Sequence, residues 1–335
     1  MANHIGIEQL KGESTFLVGA LCIWSDLPLP DWLVQGIRAS KLNVVSVGSP
    51  RADVRSCLGP DQNAFSDLRV FSTSMRGVPL LYVGFGNAVS QTAIASNHPI
   101  VFSTEPWLGD LIGGPSDIGE VTLPGIPLDG RFSQASEIFT QSGSPDVAQI
   151  TSLGSISHGS ILVRIQESAG ILLKWMGVPD RVSSAIGGPR IQRSSDDFPD
   201  SASRSLRNWI GSFALTCQFS DGRAGLIMAS NQHPTWSRNA LVCGPFGAVQ
   251  VDDATLEWRD AANALVEHTA PTPSEWESAD HVSLIAHTLR SGVDRRLLGR
   301  QHHEQTRAFI EAACLSAFTL ESESPYKMSE ILGEG

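Results

Sequence analysis

The segment from Gly211 to Asp260, GSFALTCQFSDGRAGLIMASNQHPTWSRNALVCGPFGAVQVDDATLEWRD, decides the fold of this chain. SFALTCQF alternates its side chains with the period of a β-strand, and the Asp-Gly pair that follows is typical of a two-residue hairpin turn. AGLIMAS, RNALVCG, AVQVDD and ATLEWRD predict further strands, and NQHPTW predicts a loop broken by proline. The segment therefore predicts four or five antiparallel strands with one buried face and a second face that is solvated or associates.

Composition excludes several classes of protein. The 335 residues are enough for two domains, and an apolar content of 41% with 18% charged residues is ordinary for a globular protein. A net charge of −11 without any run of Lys or Arg argues against a nucleic-acid partner. No stretch approaches the ~18 apolar residues of a membrane span, and the first fifteen residues lack the basic and apolar regions of a secretory signal.

Cysteine and histidine spacing gives no metal site. The cysteines are five in number, scattered, and without a Cys-x-x-Cys pair, which argues against a disulfide framework or zinc and predicts a cytoplasmic protein. His302, His303 and Glu304 resemble a metal triplet, but adjacent residues on a helix point about 100° apart. A solvated start of a helix explains them better.

The N-terminal part of the chain alternates strands with helices. Apolar runs predict strands at residues 16–24, 43–50, 78–86 and 99–107, and helical patterns separate them. This order predicts parallel pairing with right-handed crossovers, hence a doubly wound, Rossmann-like domain over residues 1–118. Its ligand crevice would lie at the carboxyl ends of the strands, near residues 19–24, 48–50, 84–87 and 104–107.

The C-terminal part, residues 119–335, predicts an α+β domain built on a large, mostly antiparallel sheet. After a Gly- and Pro-rich boundary, RFSQASEIFTQSG predicts a helix, and DVAQITSLGS predicts a strand that joins the second sheet. ILVRIQESAGILLKWMG predicts a helix that stops at Gly177, and RVSSAIGG predicts another strand. QHHEQTRAFIEAACLSAFTLES predicts a long helix near the end of the chain.

In this order, these segments resemble the Gfo/Idh/MocA family of nicotinamide-dependent oxidoreductases, which includes glucose-fructose oxidoreductase and inositol dehydrogenase. The resemblance covers nearly the whole chain and is strongest in RFSQASEIFTQSGSPDVAQITSL, ILLKWMGVPDRVSSAIGG, the hairpins of the segment 211–260 and the C-terminal helix. It implies NAD or NADP as cofactor, oxidation of CH–OH groups in a sugar or cyclitol, and a homodimer joined through the large sheet.

The family's motifs are degenerate here. The resemblance places the Gly-x-Gly-x-x-Gly loop on Gly19–Trp24, where only the first glycine remains, and no acid follows the second strand to hold the ribose. The lysine of the family's Glu-Lys-Pro motif is replaced by Glu105, and the histidine of its His-x-x-Asp motif falls on Glu167. The candidate catalytic residues are therefore Glu105 and Glu167, and the candidate cofactor residues are Gly19, Gly84 and Asn87.

Each candidate has an ordinary structural explanation as well. Glu105 fits a strand-end charge in water, and Glu167 fits an ion pair with Arg164 one turn earlier on its helix. Arg131 and Arg164 are candidate cations near a substrate, and Arg131 fits a surface charge at a helix start as well. His233 and Trp236 fall in the predicted loop, where they would bind substrate or, for the indole, pack at a sheet rim.

Two hypotheses stay open at this point. The first is an NAD(P)-linked oxidoreductase that binds its cofactor unconventionally and acts on a sugar or cyclitol. The second is a non-catalytic relative that keeps the fold for binding a small ligand, for regulation or for assembly with an active partner. Fold alone does not decide between them, because function depends on the residues of the site.

Overall fold

The computed structural model describes residues 20–29, 31–40, 42–56, 63–84, 94, 97–103, 119–122, 131–156, 159–188, 206, 209–252, 254–270, 285, 289 and 300–333. Within them lie a parallel sheet of six strands and a mixed, mostly antiparallel sheet of eight. Together they form the predicted two-domain architecture, in which a Rossmann-like parallel sheet is followed by a mostly antiparallel one. No helix in these ranges is long and apolar enough to span a bilayer.

The first sheet has the order β3-β2-β1-β4-β5-β6, and every neighbouring pair is parallel. Its strands are β1 (Ala20–Ser25), β2 (Asn43–Gly48), β3 (Asn63–Phe65), β4 (Leu80–Val83), β5 (Ile100–Ser103) and β6 (Gly119–Thr122). Between them lie α1 (Asp31–Ser40), α2 (Ala52–Ser56) and α3 (Leu68–Ser74). Asp67 begins α3 by accepting hydrogen bonds from the N–H groups of Arg69 and Val70.

Two predictions for this sheet need correction. The first strand ends at Ser25, so the carboxyl end of β1 is not at residues 19–24, which the sequence places there because their apolar run continues through the strand itself. Strand β6 pairs with β5, so the first sheet extends to Thr122, beyond the predicted boundary at 118.

Apolar side chains cover both faces of the first sheet. Leu21, Ile23 and Leu81 pack on one face, and Cys22, Trp24 and Tyr82 pack on the other. This explains why the strands read as continuous apolar runs rather than as alternating patterns. Ile285, which follows the large sheet in the sequence, is fully buried in the first of these clusters and so packs against the first domain.

The second sheet has the order β14-β13-β12-β11-β7-β10-β9-β8. Its strands are β7 (Val147–Ser155), β8 (Arg181–Gly187), β9 (Ser212–Gln218), β10 (Ala224–Ser230), β11 (Gln232–Gly244), β12 (Gly247–Asp252), β13 (Leu256–Arg259) and β14 (Leu265–Thr269). Its helices are α4 (Arg131–Ser142), α5 (Ile161–Met176), α6 (Arg300–Thr319) and α7 (Pro325–Gly333). Helix α5 ends where predicted, at Gly177, whose φ of +80° suits glycine.

The predicted meander differs from the sheet in three respects. Strand β7 is inserted between β10 and β11, parallel to β10 and antiparallel to β11, so these two strands are not a hairpin. The segment predicted as a loop, NQHPTW, belongs largely to β11, where a register shift between Gln232 and Ser237 accommodates Pro234. Strand β14 is not among the strands that the sequence predicts.

Candidate functional site

Five polar or aromatic side chains meet at the carboxyl end of β7, and we call them the arginine–tryptophan cluster: Ser152, Arg164, Glu167, Trp236 and Arg238. Ser152 and Arg238 are register partners on β7 and β11. Arg164 and Glu167 lie three residues apart on α5, which puts them on the same side of that helix. Two strands and one helix therefore converge on one point.

A buried ion pair is the centre of the cluster. Nη1 of Arg238 lies 2.5 Å from Oε1 of Glu167, and the side chains of both are 1% exposed. The hydroxyl of Ser152 donates to the other carboxylate oxygen, Oε2, at 2.9 Å. Charges removed from water are stable only when partners compensate them, and here both carboxylate oxygens already accept hydrogen bonds.

The indole of Trp236 lies against the two guanidinium groups. Cζ of Arg164 is 3.8 Å from the ring centroid, and Cζ of Arg238 is 5.7 Å away, both within the range of a cation–π contact. A Cβ atom at Gly154 would come within 2.9 Å of Nη2 of Arg164, so this glycine leaves the space that the guanidinium fills. Arg164 is fully buried, whereas Trp236 is half-buried.

The indole of Trp236 comes from an irregular part of β11. The strand changes register between Gln232 and Ser237, and a bulge of this kind turns side chains away from the regular alternation. His233 lies in the same bulge, where its Nδ1 hydrogen-bonds the carbonyl oxygen of Thr235 at 2.7 Å. The imidazole is thus engaged within the bulge itself.

The structure brings three of the predicted site residues together: Arg164, Glu167 and Trp236. Arg131 begins α4, where its Nε donates to the carbonyl oxygen of Ala254 at 3.3 Å. Gly19, Asn87 and Glu105 lie outside the described residues.

Sequence reasoning missed Arg238 and Ser152. A usable signal was present for Arg238, because it shares the alternation of Ala240 and Val242, and all three are buried. An arginine at an inward-facing strand position requires a buried partner. The identity of that partner, Glu167, depends on the packing of α5 against the sheet and is not visible in any local pattern.

Buried cysteines contribute no nucleophile to this region. Burial raises the pKa of the Cys22, Cys217 and Cys314 thiols well above their ordinary value, so these groups stay protonated at neutral pH. Among the described residues, no group of three His, Cys, Asp or Glu side chains is placed to hold a metal ion.

A second polar group lies in the first domain, between the ends of β1 and β4. Asp26 follows β1 directly and accepts hydrogen bonds from Nε1 of Trp24, at 2.8 Å, and from the hydroxyl of Tyr82. Its own N–H donates to the carbonyl oxygen of Val83 at 2.9 Å. Gly84 faces it, because a Cβ at this glycine would lie 3.1 Å from both Cβ and Oδ2 of Asp26. Gly84, predicted as a cofactor residue, therefore makes room for Asp26.

The described residues of this crevice do not suit a nicotinamide dinucleotide. The residues that follow β1 read Asp26-Leu27-Pro28-Leu29, without the glycines that let backbone N–H groups approach a diphosphate. A carboxylate stands there instead, and Pro28 has no N–H to offer. At the end of β2, Gly48 accommodates the ring of Trp24, since a Cβ there would lie 2.4 Å from that indole. The position directly after Gly48 holds Ser49 and not an acid.

Comparisons with known proteins find this fold among solved structures. No family model matches the sequence, and no curated protein matches it. Solved structures do match, among them an oxidoreductase from Agrobacterium radiobacter in complex with NAD+, L-tartaric acid and magnesium, with 12% identity over 92% of this chain and 99% of that one and a TM-score of 0.64. A putative myo-inositol dehydrogenase from Sinorhizobium meliloti has 12% identity over 91% and 99%, with a TM-score of 0.61.

A levoglucosan dehydrogenase in complex with NADH and L-sorbose has 11% identity over 91% of this chain and 98% of that one, with a TM-score of 0.65. Identities this low show the shared fold alone. The architecture of this chain is thus the two-domain fold that sugar and inositol dehydrogenases share. More particularly, it is the fold of the Gfo/Idh/MocA type.

Proposed function

We propose that this chain uses the dehydrogenase fold to bind a small, sugar-like molecule at the arginine–tryptophan cluster and does not catalyse nicotinamide-dependent hydride transfer. The observation that carries the proposal is the state of Glu167, on which the family resemblance places the catalytic histidine. Both of its oxygens are engaged by Arg238 and Ser152 in a dry environment. A base that removes a hydroxyl proton needs an accessible lone pair within hydrogen-bond reach of the substrate.

The cluster suits a polyhydroxylated ligand, neutral or acidic. The indole of the half-buried Trp236 is a flat apolar surface of the kind that packs on the C–H face of a sugar ring, and small-molecule sites combine such surfaces with few polar groups. Two arginines and one glutamate give the described cluster an excess of positive charge. Proteins with the same fold bind L-sorbose or L-tartaric acid, a sugar and a hydroxy acid, which supports this class of ligand.

The test is a binding titration by calorimetry with L-sorbose, myo-inositol and L-tartrate. We expect at least one of them to saturate the unmodified chain and the Trp236→Ala variant to lose that binding. Trp258→Phe is the matched control, because Trp258 lies on the same sheet but bonds to the carbonyl oxygen of Phe246, away from the cluster. Equal binding by the Trp236→Ala variant would place the ligand elsewhere.

An NAD(P)-linked oxidoreductase acting on CH–OH groups is the second candidate, and one observation favours it. Ser49 and Arg51 follow β2, and in dinucleotide sites an arginine at this place accommodates the 2′-phosphate of NADP. If NADP-dependent turnover is found, Glu105 is the remaining candidate base. Glu105→Gln should then abolish turnover and leave the fold intact; unchanged turnover would remove Glu105 from the site.

A further inference from the structure

The position of Asp26 in the first sheet gives it a role that the sequence motifs do not reveal. The strand order changes direction between β1 and β4, since β2 and β3 continue from β1 on one side and β5 and β6 from β4 on the other. In open sheets of this kind the ligand crevice lies outside the carboxyl ends of the two strands at this switch point. Asp26 follows β1, and Gly84 follows β4, so both lie at that place.

The carboxylate of Asp26 is fixed from both strands. Oδ1 accepts from the indole N–H of Trp24 on β1 at 2.8 Å, and Oδ2 accepts from the hydroxyl of Tyr82 on β4. Trp24 and Tyr82 are register partners and are both almost fully buried. We call Asp26 with these two donors the Asp26 bridge. Its negative charge therefore has a defined position between the strand ends.

The environment of the bridge is built to accept this side chain. Gly84 has a φ of +157° and no side chain, and any Cβ there would press on the Asp26 carboxylate. Gly48, the register partner of Trp24 on the other side, likewise leaves room for the indole that donates to Asp26. Two glycines at strand ends thus leave room for the side chains of the Asp26 bridge, whereas the glycines of a dinucleotide site leave room for a bound diphosphate.

We propose that the Asp26 bridge is an internal substitute for the bound anion of this fold: its carboxylate takes the anion position at the β1–β4 crevice and keeps dinucleotides out. An incoming diphosphate would meet a fixed like charge in a partly dry crevice, where repulsion is weakly screened. It would also displace a carboxylate that already has two donors. The proposal extends the proposed function, because it names the group that opposes nicotinamide binding.

The experiment compares the unmodified chain with Asp26→Gly, Asp26→Asn and Tyr82→Phe in titrations with NADH and with NADPH, followed by calorimetry up to ~1 mM cofactor. We expect no saturation of the unmodified chain. Asp26→Gly, which removes the charge and restores a glycine after β1, should bind one cofactor with a dissociation constant about tenfold or more below that limit. Tyr82→Phe removes one donor but leaves the charge, so it should lower the unfolding temperature without any gain in binding.

Asp67→Asn is the matched control, because it removes one carboxylate from the same domain while asparagine still caps α3. It should not bind either cofactor. If Asp26→Gly does not fold cooperatively, Asp26→Asn takes its place, because it removes the charge and keeps the shape of the side chain. We then expect the same gain in cofactor binding from Asp26→Asn. Folded variants without a gain overturn the role of the bridge and leave the proposed function standing. Micromolar binding by the unmodified chain overturns both.

Discussion

At the scale of residues, Arg238 and Glu167 form a buried ion pair in the second domain, and such a pair is costly to desolvate. Each guanidinium or carboxylate taken from water loses several kcal/mol of hydration, and a partner restores it only with good geometry. Both side chains are 1% exposed, so removal of either one leaves the other charged and dry. The pair therefore acts as one unit in stability.

Substitution of one member should cost far more than substitution of both. We expect Arg238→Met to lower the free energy of unfolding by ~3–5 kcal/mol, because Glu167 loses its buried partner. The double variant Arg238→Met, Glu167→Leu should lose less unfolding free energy than the two single variants together. Urea denaturation measures all three losses. Arg51→Ala is the control, since its pair with Asp53 is exposed and its removal should leave stability nearly unchanged. Additive losses would contradict the coupling.

Because His98 is buried in the first domain, we expect the free energy of unfolding to depend on pH. Its ring is buried, hydrogen-bonds the Val78 carbonyl oxygen at 2.8 Å and lies 3.1 Å from the Ser72 hydroxyl. Burial lowers the pKa of His98, so the unfolded chain takes up a proton before the folded chain does as pH falls. Stability from this group is complete above the ordinary histidine pKa of about 6.5 and decreases as pH falls below it. His98→Asn should reduce the loss of unfolding free energy between about pH 7.5 and 5.5; an unchanged loss would contradict this assignment.

At the scale of elements, the contact between β1 and β2 depends on one small residue. Trp24 and Gly48 are register partners, and a Cβ at Gly48 would lie 2.4 Å from Trp24 and 2.7 Å from Phe71. We expect Gly48→Ala to destabilise the chain by ~1–3 kcal/mol through overpacking. Gly187→Ala is the control, because a Cβ there would have no neighbour closer than 3.9 Å and its φ, like that of Gly48, is not positive. A loss at Gly48 no greater than at Gly187 would contradict the packing argument.

The elements also show which parts of the fold a single sequence encodes locally. Helix α5 ends at Gly177 as predicted, because a C-terminal glycine is a local signal. The insertion of β7 between β10 and β11 joins residues about eighty positions apart, and no local period reports such pairing. Pro234 marks a loop in the sequence, yet a bulge keeps it within β11. In the site, Glu167, Arg164 and Trp236 are predictable, whereas Asp26 was missed because the end of β1 was misplaced.

At the scale of the whole molecule, the open face of the large sheet carries both apolar and polar side chains. Phe213, Leu215 and Cys217 are buried, as are Val249, Val251 and Leu256, so these residues belong to the core. The opposite alternation carries Val147, Met228 and Leu241, which are 49%, 44% and 45% exposed, among polar residues such as Gln149 and Gln250. An apolar patch interrupted by polar side chains is typical of a protein–protein interface.

We therefore still expect a homodimer joined through this face, in which two-fold symmetry buries the same residues on both subunits. Leu241 lies near the middle of the face, beside Gln149 of β7 and Gln250 of β12. Leu241→Glu should bury a carboxylate from each subunit in the apolar part of the interface and convert the dimer to a monomer. The molecular mass measured by light scattering would then fall from twice the chain mass of 35.9 kDa to that mass. Val70→Glu, on the exposed side of α3, is the matched control and should leave the dimer intact. A monomeric unmodified chain at micromolar concentration would show that the face does not self-associate.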